Sequence, residues 1–220
     1  MKNRLAGLWI VLFVYMGIGI IFYPKVGLIA LICMFAPIVS APFRGRKWCG
    51  SFCPRGSFLD KLISKISLSR SIPGFMMSGR FRWSIFLLLM GVFAFRISKA
   101  WGDWNEVGLV ILTMVLLTTI MAAVVGIIYK PRTWCTAFCP MGTLAAVLST
   151  SEGGIIFGEG CVSCQLCSKA CPMQINPAQF KKRGQVTDPR CIRCTECIAA
   201  CPKQVLSHRS ADHHHLKKVS

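Results

Sequence analysis

Twelve of the thirteen cysteines fall in four short clusters, each closed by a proline. The two C-terminal clusters share one spacing: Cys161-x2-Cys164-x2-Cys167-x3-Cys171-Pro172, then Cys191-x2-Cys194-x2-Cys197-x3-Cys201-Pro202. Three thiolates so closely spaced can cap three irons of one cubane, and in two-cluster ferredoxins the more distant fourth cysteine ligates the other cluster. The spacing therefore assigns Cys161, Cys164, Cys167 and Cys201 to one [4Fe–4S] centre, and Cys191, Cys194, Cys197 and Cys171 to a second. Tetrahedral zinc is usually held by separated C-x2-C pairs, which leaves a triple followed by x3-Cys-Pro unexplained. A disulfide framework does not account for that regularity either.

The two N-terminal clusters repeat one phrase. Trp48 to Gly56 reads WCGSFCPRG and Trp134 to Gly142 reads WCTAFCPMG. A basic residue precedes each (Lys47, and Arg132 one position further back), and Ser57 or Thr143 follows. One C-x3-C supplies two thiolates, which share a face on a helical turn. Two such pairs supply four. A further [4Fe–4S] centre at the membrane surface, held by Cys49, Cys53, Cys135 and Cys139, is the leading expectation. A Cu(I) thiolate site, a dithiol–disulfide switch and a cluster completed by other ligands remain open. Trp48 and Trp134 either shield the centre or anchor at the interface. Pro54 and Pro140 are expected to stop the helix where the cluster sits, and Cys33 to be a small buried hydrophobe.

What must position these residues is apolar. The chain is 54% hydrophobic and 15% charged, with a mean hydropathy of +0.55, which suits a bilayer. Four apolar runs, Leu5–Tyr23, Val26–Pro42, Trp83–Ser98 and Val107–Tyr129, approach or reach the roughly 20 residues that a spanning helix needs. Arg96 can snorkel from the end of the third. The first run follows MKNR, has no small-residue cleavage site and leads straight into the second, so it is expected to be retained.

The net charge of +18 raises nucleic acid as a partner, but its placement argues against one. Arg44, Arg46, Lys47, Arg55, Lys61, Lys65, Arg70, Arg80 and Arg82 fall in one segment between apolar runs, the pattern of a cytoplasmic loop. Both termini and every cysteine motif then face the cytoplasmic side of a bacterial-type inner membrane, where reduced thiols disfavour structural disulfides.

The expected fold is an α-helical membrane protein with four transmembrane helices in two parallel repeats, related by a pseudo-two-fold axis along the membrane normal. A small C-terminal α+β bicluster ferredoxin-like domain follows. The boundaries are 1–150 for the membrane domain, 151–210 for the ferredoxin-like domain and 211–220 for a disordered tail carrying His213, His214 and His215. In the 44–82 loop, Leu59, Leu62, Ile63 and Ile66 have helical spacing opposite Lys61 and Lys65, as in a short helix lying on the membrane surface. Ser57 and Asp60 have the spacing of a capping box at its start. Asp60 is the loop's one carboxylate; it is read as a cap, and no catalytic residue is assigned. Lys169, Lys181, Lys182, Arg183, Arg190 and Arg193 surround the C-terminal clusters, where they could raise potentials, dock an acidic partner or be merely solvated. All four histidines lie from His208 onward, which leaves no embedded bis-histidine haem site. No nucleotide-loop or dinucleotide signature points to a flavin.

Four spans, two C-x3-C-P phrases and a two-cluster C-terminal module resemble the NapH/MauN-type membrane ferredoxins, and the same phrases recur in the related NosR and CcoG groups. The resemblance implies a membrane-bound iron–sulfur subunit that takes electrons from membrane quinol and passes them through its clusters towards a periplasmic reductase. It also implies partners: other subunits of a respiratory reductase or quinol dehydrogenase complex, including another iron–sulfur protein. Neither the FMN-binding domain of the NosR group nor the immunoglobulin-like domain of the CcoG group is present in the sequence. Two other functions compete: a factor that reduces copper for assembly of a respiratory enzyme, and a redox sensor.

Overall fold

The structure is a computed structural model and describes residues 7–21, 24–149 and 154–208. The tail expected to be disordered lies outside the described residues, as do both ends of the first apolar run. The chain is mostly helical, with one small sheet near its C-terminus.

Helix α1 (Leu8–Ile21) and, after a 3-10 turn, α2 (Ile29–Arg44) come from the first two apolar runs. Gly45 ends α2 at φ +55, a conformation that costs glycine little, and its N–H closes on the Ala41 carbonyl. Short α3 (Lys47–Ser51) carries the start of the first phrase. Then α4 (Pro54–Phe58) passes through a π-helical turn at Leu59–Ile63 into α5 (Ser64–Ile66). The long helices α6 (Gly79–Lys99) and α7 (Trp104–Ile128) are capped at their starts by the Ser78 and Asp103 side chains. The Ser78 cap explains why α6 starts four residues before its apolar run.

Among the described residues three helices, Lys25–Arg44, Gly79–Lys99 and Trp104–Ile128, are long and apolar enough to cross a membrane. The described part of α1 has 14 residues, about 21 Å at the helical rise, against a hydrocarbon core of roughly 30 Å. No residue of α6 is buried. Cys33, expected inside, is exposed on α2 between Ile32 and Phe35. On so apolar a helix an outward-facing hydrophobe carries no penalty if lipid surrounds it.

The stretch α4–α5, expected as a helix on the membrane surface, buries half of its apolar stripe against protein. Phe58, Leu59 and Ile63 are buried in a core with Leu12 and Met16 of α1, Ala122 of α7 and Trp134. Arg55 reaches midway along α7, to the Val115 carbonyl at 3.4 Å and the Thr118 hydroxyl at 2.9 Å. Beyond the stretch, the Leu68 N–H bonds Ile127 near the end of α7. The helix thus runs back alongside α7 with Leu59 and Ile63 in a protein groove, while Leu62 and Ile66 stay exposed with Lys61 and Lys65. In the second half, a π-helical turn at Trp134–Phe138 leads into α8 (Pro140–Leu148), which packs on α2 and α6.

The C-terminal module is closed by antiparallel strands β1 (Ile155–Phe157) and β2 (Leu206–His208), with Ile155 opposite His208. Between them lie α9 (Leu166–Lys169), a 3-10 stretch at Pro177–Arg183 and α10 (Glu196–Ala199). Ile155, Cys167, Val186, Cys197 and Leu206 make its core.

Candidate metal centres

In the module the two cysteine clusters fold alike. Backbone φ is positive at Ser163 and Gln165 on either side of Cys164, and at Arg193 and Thr195 on either side of Cys194. It is positive again three residues past each cluster's last cysteine, at Gln174 and Gln204. Each left-handed non-glycine residue costs about 1–3 kcal/mol, so six in matched positions mark a built site. Alternating left- and right-handed residues also turn successive N–H groups into a concavity that suits anions and iron–sulfur centres.

The result is two cavities. One is lined by Cys161, Cys164, Cys167 and Cys201 with Phe157, Val162 and Leu206. The other is lined by Cys171, Cys191, Cys194 and Cys197 with Ile155, Met173 and Ile192. These groupings of four match those read from spacing. Among the described residues no three Cys, His, Asp or Glu side chains gather tightly enough for a single ion; the thiols line cavities instead. Burial raises the thiol pKa of Cys191 and Cys197, and pushes Cys194 up to about 11. Iron binding there must release protons.

The repeated phrases also fold alike. Each closes a wide turn, with the Cys53 N–H on the Trp48 carbonyl (3.1 Å) and the Cys139 N–H on the Trp134 carbonyl (2.9 Å). Trp48 stacks on Phe52 and Trp134 on Phe138. Cys53 and Cys139 are N-caps, so Pro54 and Pro140 open the following helices rather than only stopping the preceding turns. The Gly142 N–H approaches the Cys139 sulfur at 3.4 Å. Trp134 is buried in the helical core, away from any outer belt.

Across the phrases the contact is reciprocal. Arg46 donates to the carbonyl of Cys135 (3.1 Å), and Arg132 to the carbonyl of Cys49 (2.8 Å). A Cβ on Gly56 would meet the Arg132 guanidinium at 2.5 Å, and one on Gly142 would meet that of Arg46 at 2.8 Å. Each glycine therefore makes room for the arginine of the other phrase. Arg132 Nη1 also lies 4.0 Å from the Cys135 sulfur. Burial raises the Cys139 pKa to about 12, and the neighbouring Cys135 and Cys49 thiols push in the same direction. Burial likewise raises Cys135, which Cys53 also influences.

The arginines are what sequence reading missed. Arg46 and Arg132 occupy the same place, two residues before the tryptophan, so the phrase is R-x-W-C-x2-F-C-P-x-G-[ST] in both copies. Taking Lys47 as the counterpart of Arg132 hid that register. The capping box is also corrected. Ser57 lies inside a helix that begins at Pro54, and Asp60 forms a two-pronged ion pair with Arg132, its Oδ1 2.8 Å from Nε. Burial disfavours the Arg132 charge, but the Asp60 carboxylate more than offsets this and raises its pKa above the usual range.

The module is fastened onto this site. Arg46 donates to the Arg190 carbonyl (3.2 Å), Arg193 to Arg44 (2.9 Å) and Lys130 to Cys171 (3.1 Å). Cys49 and Cys135 pack with Cys171, Cys191 and Cys194 around Met173, Ile175 and Ile192.

The donor set suits iron–sulfur clusters: each module cavity pairs four thiols with apolar walls, and neither lining contains histidine or carboxylate. Of the buried N–H donors without partners, Arg46 Nε, Trp48 Nε1 and Trp134 Nε1 lie in the two phrases and Arg82 Nε lies on α6. Comparison with known proteins agrees. Residues 26–73 and 108–153 both match the family described as 4Fe-4S binding domain, and residues 153–202 match the 4Fe-4S dicluster domain. The chain is a ferredoxin-type iron–sulfur protein. It is 29% identical over 157 residues to one uncharacterized protein of Methanocaldococcus jannaschii, covering 67% of this chain and 60% of that protein. A second uncharacterized protein of the same organism is 26% identical over 147 residues, 60% of each chain. The chain thus spans about 60% of the length of these curated relatives. No solved structure matches it.

Proposed function

We propose that this is a membrane electron-transfer subunit of the NapH/MauN type, which takes electrons from membrane quinol and passes them to a partner reductase. The observation that carries the reading is the reciprocal join of the two phrases, Arg46 on the Cys135 carbonyl and Arg132 on the Cys49 carbonyl, with Cys49 and Cys135 packed beside Cys171, Cys191 and Cys194. In this reading Cys49, Cys53, Cys135 and Cys139 hold a third [4Fe–4S] centre, and the eight C-terminal cysteines hold two more. α1 belongs to a fourth span, the halves are parallel repeats, and all centres and both termini face the cytoplasm of an inner-membrane protein. When bound, the clusters store and pass single electrons.

Quinol releases two electrons and two protons, so its oxidation needs two one-electron transfers and a path for protons. A cleft of about 600 Å³, lined by Cys53, Asp60, Arg132, Cys194 and Glu196 among others, opens between the first phrase and the module. Electrons then pass from the four-cysteine site to the adjoining cavity, and leave through the cavity whose Cys164 is exposed, towards another iron–sulfur subunit.

The test is anaerobic. A reduced menaquinol analogue added to the cluster-loaded protein should bleach its visible iron–sulfur absorbance, and the Cys49/Cys53/Cys135/Cys139→Ser variant should lose that response. Absence of bleaching in a protein that dithionite still reduces would overturn quinol as donor.

A further inference from the structure

Three arginines approach the phrase cysteines, and only one has a carboxylate partner among the described residues. Arg132 is paired with Asp60. Arg46 is 1% exposed; its guanidinium reaches two backbone carbonyls, and its Nε has no partner. Arg55, two residues past Cys53, ends on Val115 and Thr118 of α7, both uncharged acceptors. A buried guanidinium without a counter-charge is costly, and ionised groups within apolar helices are retained where an opposite charge meets them. No described carboxylate meets Arg46 or Arg55. A cubane held by four thiolates is an anion in both of its usual oxidation states, and it would sit among them.

We infer that Arg46, Arg55 and Arg132 form an electropositive cage that balances an anionic centre on Cys49, Cys53, Cys135 and Cys139 and raises its reduction potential. The inference rests on the reading of a shared third centre. The arginines are positioning and tuning groups; they donate no electron and take no part in a bond. Reduction adds one negative charge, so each nearby cation favours the reduced form and each nearby anion opposes it. Arg46 also orients the second phrase through the Cys135 carbonyl, and Arg132 the first through that of Cys49. Asp60 is the anion paired with the cage through Arg132, and its counterpart four residues past the second glycine is Ala146.

The experiment is an anaerobic redox titration of the full-length, cluster-loaded protein, following the signal that the four-serine variant lacks by electron paramagnetic resonance. Arg46→Met and Arg55→Met should each lower the midpoint by at least a tenfold change in the reduction equilibrium, about 59 mV for one electron. Methionine is a fair replacement at position 55, since the second phrase carries Met141 there. Asp60→Asn should move the midpoint the opposite way, and Arg46→Lys should return it towards the parent value. A merely structural role would not give opposite signs. Unchanged midpoints, or shifts of one sign in all variants at full iron content, would overturn the cage. If the parent shows no signal that the four-serine variant lacks, the shared centre itself falls, which is a separate failure.

Discussion

The two copies of the phrase have the same backbone and different charge. In both, the tryptophan stacks on phenylalanine, the second cysteine caps a helix and a glycine admits the arginine of the other copy. Yet the first copy carries Arg55 and Asp60 where the second carries Met141 and Ala146. Its following helix runs from Pro54 to Ile66 through a π turn, whereas the second ends at Leu148. What both copies must supply, two thiols and one arginine, is shared. What one copy can supply for both, an extra cation and a carboxylate, appears once. In the proposed reading the pair is a single site whose members have divided the remaining work.

The comparison can be broken most severely at the cysteines. If the copies share a centre, Cys49→Ser and Cys135→Ser should each lose the same share of iron, about a third for three equal cubanes. The double variant should lose no more than either alone; additive losses in an iron assay would separate the copies into two sites. Next come the arginines in cluster-free protein. Arg132→Met removes the buried arm of the Asp60 pair and the bond to the Cys49 carbonyl, leaves Asp60 half-exposed to water, and should cost roughly 1–3 kcal/mol in chemical unfolding. Arg46→Met removes an unpaired buried cation and should cost far less, although both remove one hydrogen bond to a cysteine carbonyl. Equal costs would deny the asymmetry of charge. The glycines come last. Gly56→Ala and Gly142→Ala each push a methyl into the opposite guanidinium, for about 1–3 kcal/mol apiece. Thermal unfolding should find the two similar, because the approach distances are similar.

Legibility in the sequence followed the range of the interaction. The grouping of the eight module cysteines could be read because each cluster is fixed by local backbone over a few residues, including the left-handed positions that flank Cys164 and Cys194. The three long apolar helices could be read because length and hydropathy decide them. Asp60 was misread because a capping rule looks three residues away, and its partner Arg132 lies 72 residues on. The stripe Leu59/Ile63 was correctly apolar, but periodicity does not say whether lipid headgroups or α7 will cover it. Arg46 was hidden among nine basic residues whose number alone fits a cytoplasmic loop. Aligning the two copies one residue further upstream would have singled it out.

The bonds that hold the module in place run from Arg46, Arg193 and Lys130 to the carbonyls of residues 190, 44 and 171. A carbonyl is present whatever side chain the residue bears. These bonds therefore depend on the donors, two from the helical half and one, Arg193, from the module, and not on the side chains at 44 and 190. Drift at those two accepting positions leaves the joint intact, while each half must keep its own donors.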